Sequence, residues 1–242
     1  MAAALDRVRL LGPPLADGEY VMLAEHEIVH LHDYARIYRE PGLYEHVVQE
    51  RLHCRSPQVA VEGFMRGVAH LGLEPAPMAV LDVGAGTGLV GELLRREGIA
   101  QVIGVDALAE ARAACLRDRP GVYADYLVGD LGSRASPLRP ALHRYELVGL
   151  VCAGAFGGTH AQPQALTTAL AALAVGAPVA FTIGEQWMDS SDPEGFGGTI
   201  ERLEATGALE VVERTRFQHR LTTTGQPVFY ELICGLRARD PT

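Results

Sequence analysis

A glycine-rich turn is the part of the sequence whose residue types and spacing most clearly indicate chemistry. The segment Asp82-Val83-Gly84-Ala85-Gly86-Thr87-Gly88 follows an apolar run and precedes a helical pattern. Glycines let the chain turn tightly and let its backbone approach a ligand closely. The amide groups at the start of the next helix are free to donate to that ligand. The sequence therefore predicts a ligand held by the backbone of this turn.

Acidic residues stand at the ends of the next two predicted strands. Asp106 ends the run Val102-Ile103-Gly104-Val105-Asp106, where a carboxylate can accept hydrogen bonds from both hydroxyls of a ribose. Asp130 follows the third run and could accept from the amino group of an adenine. Ligands of open parallel sheets bind at the carboxyl ends of the strands. Together with Asp82, these acids indicate a ligand that contains a nucleoside.

The turn also fits a second pattern, because residues 86–91 spell the G-x-G-x-x-G of dinucleotide-binding proteins. Asp82 argues against a dinucleotide, since a carboxylate ahead of the glycines would repel a pyrophosphate. The same carboxylate would attract the ammonium group of S-adenosylmethionine (SAM). The dinucleotide register would also place Asp82 inside a strand, where a charge is costly. SAM is therefore the predicted cofactor, and S-adenosylhomocysteine (SAH) the predicted product.

From residue 76 onward, short apolar runs alternate with helical patterns, which predicts parallel strands joined by right-handed crossovers. The predicted strands cover 78–83, 101–105, 122–128, 145–151 and 178–183. The predicted helices cover 89–97, 108–117, 163–173 and 193–205. Two further strand-like runs, 209–217 and 228–236, have no helix between them and predict an antiparallel hairpin. Five βα units closed by a hairpin resemble the layout of class I methyltransferases. We therefore expect their α/β, Rossmann-like fold, with a seven-stranded mixed sheet of order 3-2-1-4-5-7-6.

The first part of the chain has apolar residues at helical spacing. Helices are expected over 20–38, 42–53 and 57–72, with breaks at Pro41-Gly42 and at Ser56-Pro57. We therefore expect residues 1–73 to form an N-terminal helical cap or lid, and residues 74–242 to form the SAM-binding domain. Such a cap would shape the pocket for the methyl acceptor.

Composition excludes several classes of partner. The net charge is −9 and there is no concentrated basic patch, so no nucleic acid partner is expected. No apolar run is long enough to cross a membrane, and a cytoplasmic location is predicted. The cysteines at 54, 115, 152 and 234 form no C-x-x-C pair, which predicts small buried side chains rather than a zinc site. Nothing in the sequence indicates an oligomeric state.

The segment His26-Glu27-Ile28-Val29-His30 matches the H-E-x-x-H of zinc proteases. On a helix, His26 and His30 would share one face and could bind a metal together. The motif lies in a short cap, however, and no third-ligand pattern follows His30. We predict no metal, and a metalloprotein remains the remote alternative. A milder hypothesis places His30 or His32 in the acceptor pocket.

Over residues 30–237 the sequence resembles the class I SAM-dependent methyltransferase superfamily. Within it, the chain is most similar to the small Williams–Beuren-region methyltransferase-like proteins and their bacterial relatives. Residues 81–88 resemble the first motif, 104–106 the second and 129–131 the third. Residues 34–38 are similar to an aromatic segment that closes over the cofactor. Leu31 and His32 depart from this pattern, because relatives often carry a Tyr-Asp pair there.

The resemblance implies which residues bind the cofactor. They are Tyr38, Asp82, Gly84, Ala85, Gly86, Thr87, Gly88, Asp106, Ala107, Gly129, Asp130, Leu131, Cys152, Ala153 and Gly154. By the same resemblance, Asp82 and residues 84–88 surround the methionine part of SAM, Asp106 holds the ribose, and Asp130 and Leu131 address the adenine. The residues expected to line the substrate pocket are His30, Tyr34, Phe156, Glu185 and Trp187.

The predicted function is methyl transfer from SAM to a small-molecule acceptor, as in secondary metabolism, with oxygen preferred over nitrogen or carbon. The segment after strand four lacks the Asn/Asp-Pro-Pro-Tyr of enzymes that methylate amino groups of bases or glutamine amides, which favours a small molecule. A hydroxyl acceptor usually needs a general base, and His160 is the candidate. A role for His160 in packing alone is the alternative. The alternative function is SAM binding without methyl transfer.

Overall fold

The computed structural model describes residue 5 and residues 7–13, 18–23, 27–158 and 160–241. Its first elements are the strands β1 (Arg9–Leu11), β2 (Tyr20–Met22) and β3 (Ile28–His30), which form a small antiparallel sheet. The predicted helix over 20–38 is therefore wrong for its first part. The buried residues Val21, Leu23, Val29 and Leu31 recur at every second position. That period places alternate side chains on one face of a strand.

Helical segments follow, as the sequence predicts for this part of the chain. They are α1 (Tyr34–Ile37), a π-helical segment (Glu45–Arg51) and α2 (Ser56–His70). Helix α2 packs on one face of the large sheet, where Phe64 and Val68 join Val80 and Val151 in one apolar cluster. The division into a cap and a domain at residue 73 stays a prediction.

The large sheet contains β4 (Ala79–Val83), β5 (Gln101–Asp106), β6 (Asp125–Val128), β7 (Leu147–Phe156), β8 (Pro178–Gly184), β9 (Leu209–Leu221) and β10 (Pro227–Arg237). The helices between its strands are α3 (Leu89–Arg96), α4 (Ala109–Asp118), α5 (Leu138–Leu142), α6 (Pro163–Ala171) and α7 (Phe196–Ala205). The strand order is β6-β5-β4-β7-β8-β10-β9, which confirms the predicted order. Strands β4 to β8 pair in parallel, and β10 pairs antiparallel with both β8 and β9.

Both faces of this sheet are buried, which explains why its central strands read as continuous apolar runs. Leu81, Leu150 and Phe181 belong to the cluster that includes residues of α6 and α7. Strand β4 lies between β5 and β7, so the chain leaves it in one direction and returns on its other side. A crevice opens at the carboxyl ends of strands at such a switch point, and ligands of open α/β sheets bind there. None of the described helices is long and apolar enough to cross a membrane.

Candidate functional site

The glycine turn lies at the carboxyl end of β4. Gly84, Gly86 and Gly88 have φ values of 74°, 53° and 94°, the left-handed region that favours glycine. The amide groups of Gly84 and Ala85 donate to the carbonyl oxygen of Val105 at 2.8 and 3.0 Å, which ties the turn to β5. A Cβ atom at Gly84 would lie 2.2 Å from the Cβ of Ala155. The turn therefore passes close to the end of β7, where only a glycine fits.

Asp106 joins the end of β5 to this turn. Its Oδ2 accepts from the amide of Gly86 and its Oδ1 from the amide of Leu108, both at 2.9 Å. Burial raises the pKa of Asp106, and these amide donors oppose the rise. A carboxylate offers about four lone-pair sites. Asp106 therefore keeps acceptor capacity for hydroxyl groups of a ligand next to the turn.

Asp82 is not placed as the sequence analysis expects. It lies inside β4, its side chain is 0% exposed, and the hydroxyl of Tyr123 donates to its Oδ2 at 2.6 Å. Burial raises the pKa of Asp82 to about 7, although the hydrogen bond from Tyr123 lowers it. The expectation of a charge at the strand end facing the ligand is therefore wrong. The strand continues through Val83, so Asp82 points into the layer that contains Tyr123.

The buried Asp82 should make the stability of the protein depend on pH. Its pKa is raised from 3.8 to about 7 in the fold, so its contribution to stability is fully present below pH 3.8 and is lost as the pH rises through 7. Relative to Asp82→Asn, we expect the free energy of unfolding to fall by roughly 2–4 kcal/mol between pH 4 and pH 8. Urea unfolding of both proteins across this range measures the difference. Parallel curves for the two proteins would contradict the buried position of Asp82.

A polar network that the sequence analysis did not foresee holds the turn. Thr87 is 2% exposed and donates to Oε1 of Glu45 at 2.6 Å. Arg119 donates to the same oxygen at 2.7 Å, to Glu92 at 2.9 Å and to the carbonyl of Thr87 at 3.1 Å. The hydroxyl of Thr87 is thus engaged in tying the π-helical segment to the turn. Glu45 and Arg119 lie 42 and 32 residues from Thr87, so no local pattern indicates them.

Tyrosines cover the turn. The hydroxyl of Tyr38 lies 3.0 Å from the position of a Cβ at Gly86, and burial together with the Asp106 carboxylate raises the pKa of Tyr38. Tyr34 stacks on Tyr38 with ring centroids 5.7 Å apart. The hydroxyl of Tyr126, which the sequence analysis missed, donates to the carbonyl of Gly86 at 2.8 Å. The aromatic segment over 34–38 therefore lies next to the glycine turn.

The other predicted cofactor residues are distributed between the crevice and the core. Asp130 is exposed, and its Oδ1 accepts from the amide of Gly132 at 2.8 Å. The amide of Gly129 donates to the carbonyl of Asp106 at 2.8 Å. Leu131 and Cys152, 4% and 0% exposed, pack in the main core. Their side chains are therefore packed into the core and do not line the crevice.

Two cavities lie at this end of the sheet. The larger, which we call the outer cleft, has a volume of about 340 Å³ and is lined by His32, Asp33, Tyr34, Ala35, Val83, Gly84, Ala107, Leu108, Ala155, His160 and Ala161. The smaller and more enclosed one, the inner cavity, has a volume of about 50 Å³ and is lined by Leu31, His32, Tyr34, Tyr44, Val48, Cys54, Pro57, Ala153, Gly154, His160, His219, Arg220 and Tyr230. The volume of the outer cleft is typical of small-molecule sites.

His32, Tyr34 and His160 line both cavities and so separate them. The ring of His160 lies 5.6 Å from that of His32 and 5.2 Å from that of Tyr34, between centroids. Burial lowers the pKa of His160 and is the main reason that the pKa of His32 is lowered to about 4. Both imidazoles are therefore uncharged at neutral pH and can exchange hydrogen bonds with a neutral group.

Of the residues predicted for the substrate pocket, Tyr34 alone lines these two cavities. The prediction for Phe156 is wrong, since it is 1% exposed and packs against Phe181 and Phe196. Glu185 pairs with Arg216. Trp187 packs across Gly157, and Nδ1 of His30 accepts from the amide of His32.

The residues that the sequence analysis missed come from the terminal hairpin and from the start of α2. His219, Arg220 and Tyr230 lie on β9 and β10, and Ser56 contacts His219. The predicted strand over 209–217 stops before His219 and Arg220, whereas β9 extends to Leu221. Tyr230 lies within the predicted strand over 228–236. Only a longer hairpin strand would have indicated that these side chains reach the site.

The H-E-x-x-H motif does not form the helix that shared metal binding requires. His26 lies outside the described residues, and Ile28 to His30 form β3. Glu27 pairs with Arg36 at 2.7 Å. Among the residues that the structure describes, no group of three His, Cys, Asp or Glu side chains is placed to hold a metal ion.

Comparisons with known proteins establish the fold. No family model matches this sequence, and no curated protein sequence matches it. Magnesium protoporphyrin IX methyltransferase from Synechocystis PCC 6803 with bound SAM is 12% identical, with a TM-score of 0.53 over 85% of this chain and 90% of that one. The same enzyme with bound SAH is 11% identical, with a TM-score of 0.51 over 75% of this chain and 83% of that one. A "putative RNA methyltransferase" from Pyrococcus horikoshii is 18% identical, with a TM-score of 0.55 over 75% and 84%. The chain has the fold of these methyltransferases.

Proposed function

We propose that this protein is a class I methyltransferase that binds SAM in the outer cleft and methylates a small molecule. The observation that carries the proposal is the junction of Asp106 with the glycine turn at the switch point of the sheet. Backbone amides, a carboxylate and an open cleft meet there, which is the arrangement that a nucleoside ligand needs. A methyltransferase with this fold has been crystallised with SAM and with SAH.

The residues at the outer cleft fit this cofactor. Gly84 has no side chain to fill the cleft that it lines, and Ala107 and Leu108 line it after Asp106. Asp106 would hold the ribose hydroxyls, and the exposed Asp130 the adenine amino group. Tyr34 and Tyr38 provide aromatic faces, which attract a cation such as a sulfonium. When bound, SAM supplies a methyl group on that sulfonium.

The chain's own contribution to transfer is to hold the acceptor and to accept a proton. His160 lines both cavities, so it faces the region in which cofactor and acceptor would meet. Because burial lowers its pKa, its imidazole is uncharged and can accept the proton of a hydroxyl group. This arrangement favours an oxygen acceptor and His160 as the base.

A second candidate function is SAM binding without methyl transfer. The inner cavity of about 50 Å³ favours it, because there is room for only a few atoms. A whole acceptor molecule could enter only if His32, Tyr34 or His160 moved. The closer similarity to the Williams–Beuren-region proteins and the cytoplasmic location also stay predictions.

Calorimetric titration with SAM, SAH and NAD tests the cofactor. We expect SAM and SAH to bind and NAD not to bind, because the described lining of the outer cleft has no Lys or Arg to pair with a pyrophosphate. NAD binding in the absence of SAM binding would overturn the proposal. Incubation of the protein with labelled SAM and a panel of hydroxylated aromatic compounds then tests transfer. SAM binding without SAH formation from any compound would favour the second candidate.

A further inference from the structure

His219 is a rigidly held polar group in the wall of the inner cavity. Its side chain is 8% exposed, and its ring stacks on Tyr230 with centroids 3.8 Å apart. Its Cε1 lies 3.8 Å from the position of a Cβ at Gly154, a residue of β7 near the glycine turn. The terminal hairpin thus brings an imidazole to the cofactor end of the sheet.

Ser56 determines which nitrogen of His219 carries the proton. The hydroxyl of Ser56 is buried, at 1% exposure, and its oxygen lies 2.6 Å from Nδ1 of His219. Among the described residues, Nδ1 is the one hydrogen-bond partner of this hydroxyl. A buried hydroxyl that cannot donate its proton is costly. The Sγ atom of Cys54 also lies 3.8 Å from Nδ1, but sulfur is only a weak acceptor. Ser56 therefore donates to Nδ1, and the proton of the neutral imidazole is on Nε2.

The inner cavity offers no net charge to a ligand. Arg220 is the permanently charged residue among those described in its lining, and its two Nη atoms donate to the two carboxylate oxygens of Glu19 at 2.9 and 2.7 Å. Burial is the largest cause that lowers the pKa of His219 to about 3 and that of His32 to about 4. An ionic group would lose its hydration here without gaining a free opposite charge.

We propose that the inner cavity binds a small uncharged hydrogen-bond acceptor of the substrate, such as a carbonyl oxygen, and that the Nε2–H group of His219 donates to it. The rest of the substrate would extend past Tyr34 and His160 toward the outer cleft. The absence of a free charge in the described lining does not suit a carboxylate or an ammonium group. This inference rests on the proposed function, because it names the chemical class of the methyl acceptor.

The choice of His219 over the tyrosines in the same wall follows from hydrogen-bond polarity. The hydroxyl groups of Tyr34, Tyr44 and Tyr230 can donate or accept, so they select neither kind of ligand. The imidazole of His219 is different, since Ser56 occupies its acceptor nitrogen and leaves a donor. His219 is therefore the group that makes the cavity specific for an acceptor atom.

A matched set of aromatic probes tests the proposal. Acetophenone and α-methylstyrene have the same shape, but only the first has a carbonyl oxygen; benzoate and benzylammonium add a negative or a positive charge. In calorimetric titrations of the SAH-saturated protein, we expect acetophenone to bind about fivefold more tightly than α-methylstyrene, as one hydrogen bond would give. We expect both charged probes to bind more weakly than acetophenone. Equal binding of acetophenone and α-methylstyrene, or tighter binding of a charged probe, would overturn the proposal.

Variants assign the effect to one side chain. His219→Asn retains a polar group near Nδ1 for Ser56 but has no atom at Nε2, so it should abolish the preference for acetophenone. His219→Gln can place an amide N–H near Nε2 and should restore much of it. His160→Asn changes another of the three histidines in the described lining and should keep the preference. Loss of the preference in His160→Asn with retention in His219→Asn would reassign the donor and overturn the proposal.

Nitrogen-15 NMR of the unmodified protein gives a readout that needs neither a variant nor activity. We expect His219 to have a proton on Nε2 and none on Nδ1, and acetophenone to shift the Nε2 signal. A proton on Nδ1 would overturn the assignment, even if the variants do not fold. The probe experiments do not involve methyl transfer. A protein that forms SAH but shows no acetophenone preference contradicts this inference alone, and one that shows the preference without forming SAH contradicts the proposed function alone.

Discussion

Asp106→Ala should lower the affinity for SAM by about 100-fold or more. Hydrogen bonds to a charged group contribute roughly 1.5–3 kcal/mol each, and the proposed ribose contact involves two hydroxyls. The substitution also releases the amides of Gly86 and Leu108, which Asp106 holds at 2.9 Å. Calorimetric titration with SAM and SAH measures the loss.

Two other aspartates provide the comparison. Asp192→Ala removes a carboxylate that also accepts a backbone amide, that of Glu194, but lies in the loop before α7, outside both cavities. We expect its SAM affinity to equal that of the unmodified protein. Asp130→Ala should lower the affinity for SAM by about tenfold or less, because water competes with this exposed side chain for the amino group of the adenine. If Asp106→Ala binds SAM within a few-fold of Asp192→Ala, the proposed ribose contact is wrong.

Gly84→Ala should destabilise the protein by about 2–5 kcal/mol. The left-handed backbone, with φ of 74°, costs an alanine roughly 1–2 kcal/mol. The added Cβ would also lie 2.2 Å from the Cβ of Ala155, and such overpacking typically costs about 1–3 kcal/mol. Urea unfolding gives the change in the free energy of unfolding.

Gly72→Ala separates the two contributions. Gly72 has a similar φ of 64°, but a Cβ there would meet nothing within 4 Å, so only the backbone cost applies. The double variant Gly84→Ala/Ala155→Gly removes the close contact and should recover the difference between the two single glycine variants. If Gly84→Ala costs no more than Gly72→Ala, the turn does not pass as close to β7 as the structure places it.

Hydrophobic periodicity predicts the strands of the large sheet well, because strands that are buried in the fold also have apolar sequences. The runs at 78–83 and 178–183 are mostly apolar and are buried throughout, as expected of strands covered on both faces, and they correspond to β4 and β8. The terminal runs without an intervening helix become β9 and β10. Strands β2 and β3 lie within the segment for which a helix is predicted, because they have only three residues each. A period of two is hard to recognise over so short a distance.

Some features of the candidate site could be predicted from local sequence patterns, and others depend on tertiary packing. The glycine turn and Asp106 follow from local pattern, because a strand, a turn and the next strand's end are brought together by one crossover. The burial of Asp82 does not, since its partner Tyr123 lies 41 residues away. Whether a strand residue points to the ligand or into a layer depends on what packs on that layer. Because Asp82 is buried against Tyr123, its carboxyl group does not repel a pyrophosphate in the crevice.

The sequence by itself determined the succession of strands and helices in the large sheet, the glycine turn at the end of β4 and the carboxylate of Asp106 beside it, because these depend on periodicity, on left-handed backbone and on one short crossover. Only the tertiary structure decided the walls of the inner cavity. Ser56 and His219 are separated by 163 residues, and they meet because α2 and the terminal hairpin pack on the same end of the sheet. Contacts of that kind depend on how whole elements pack, and no spacing along the chain encodes them.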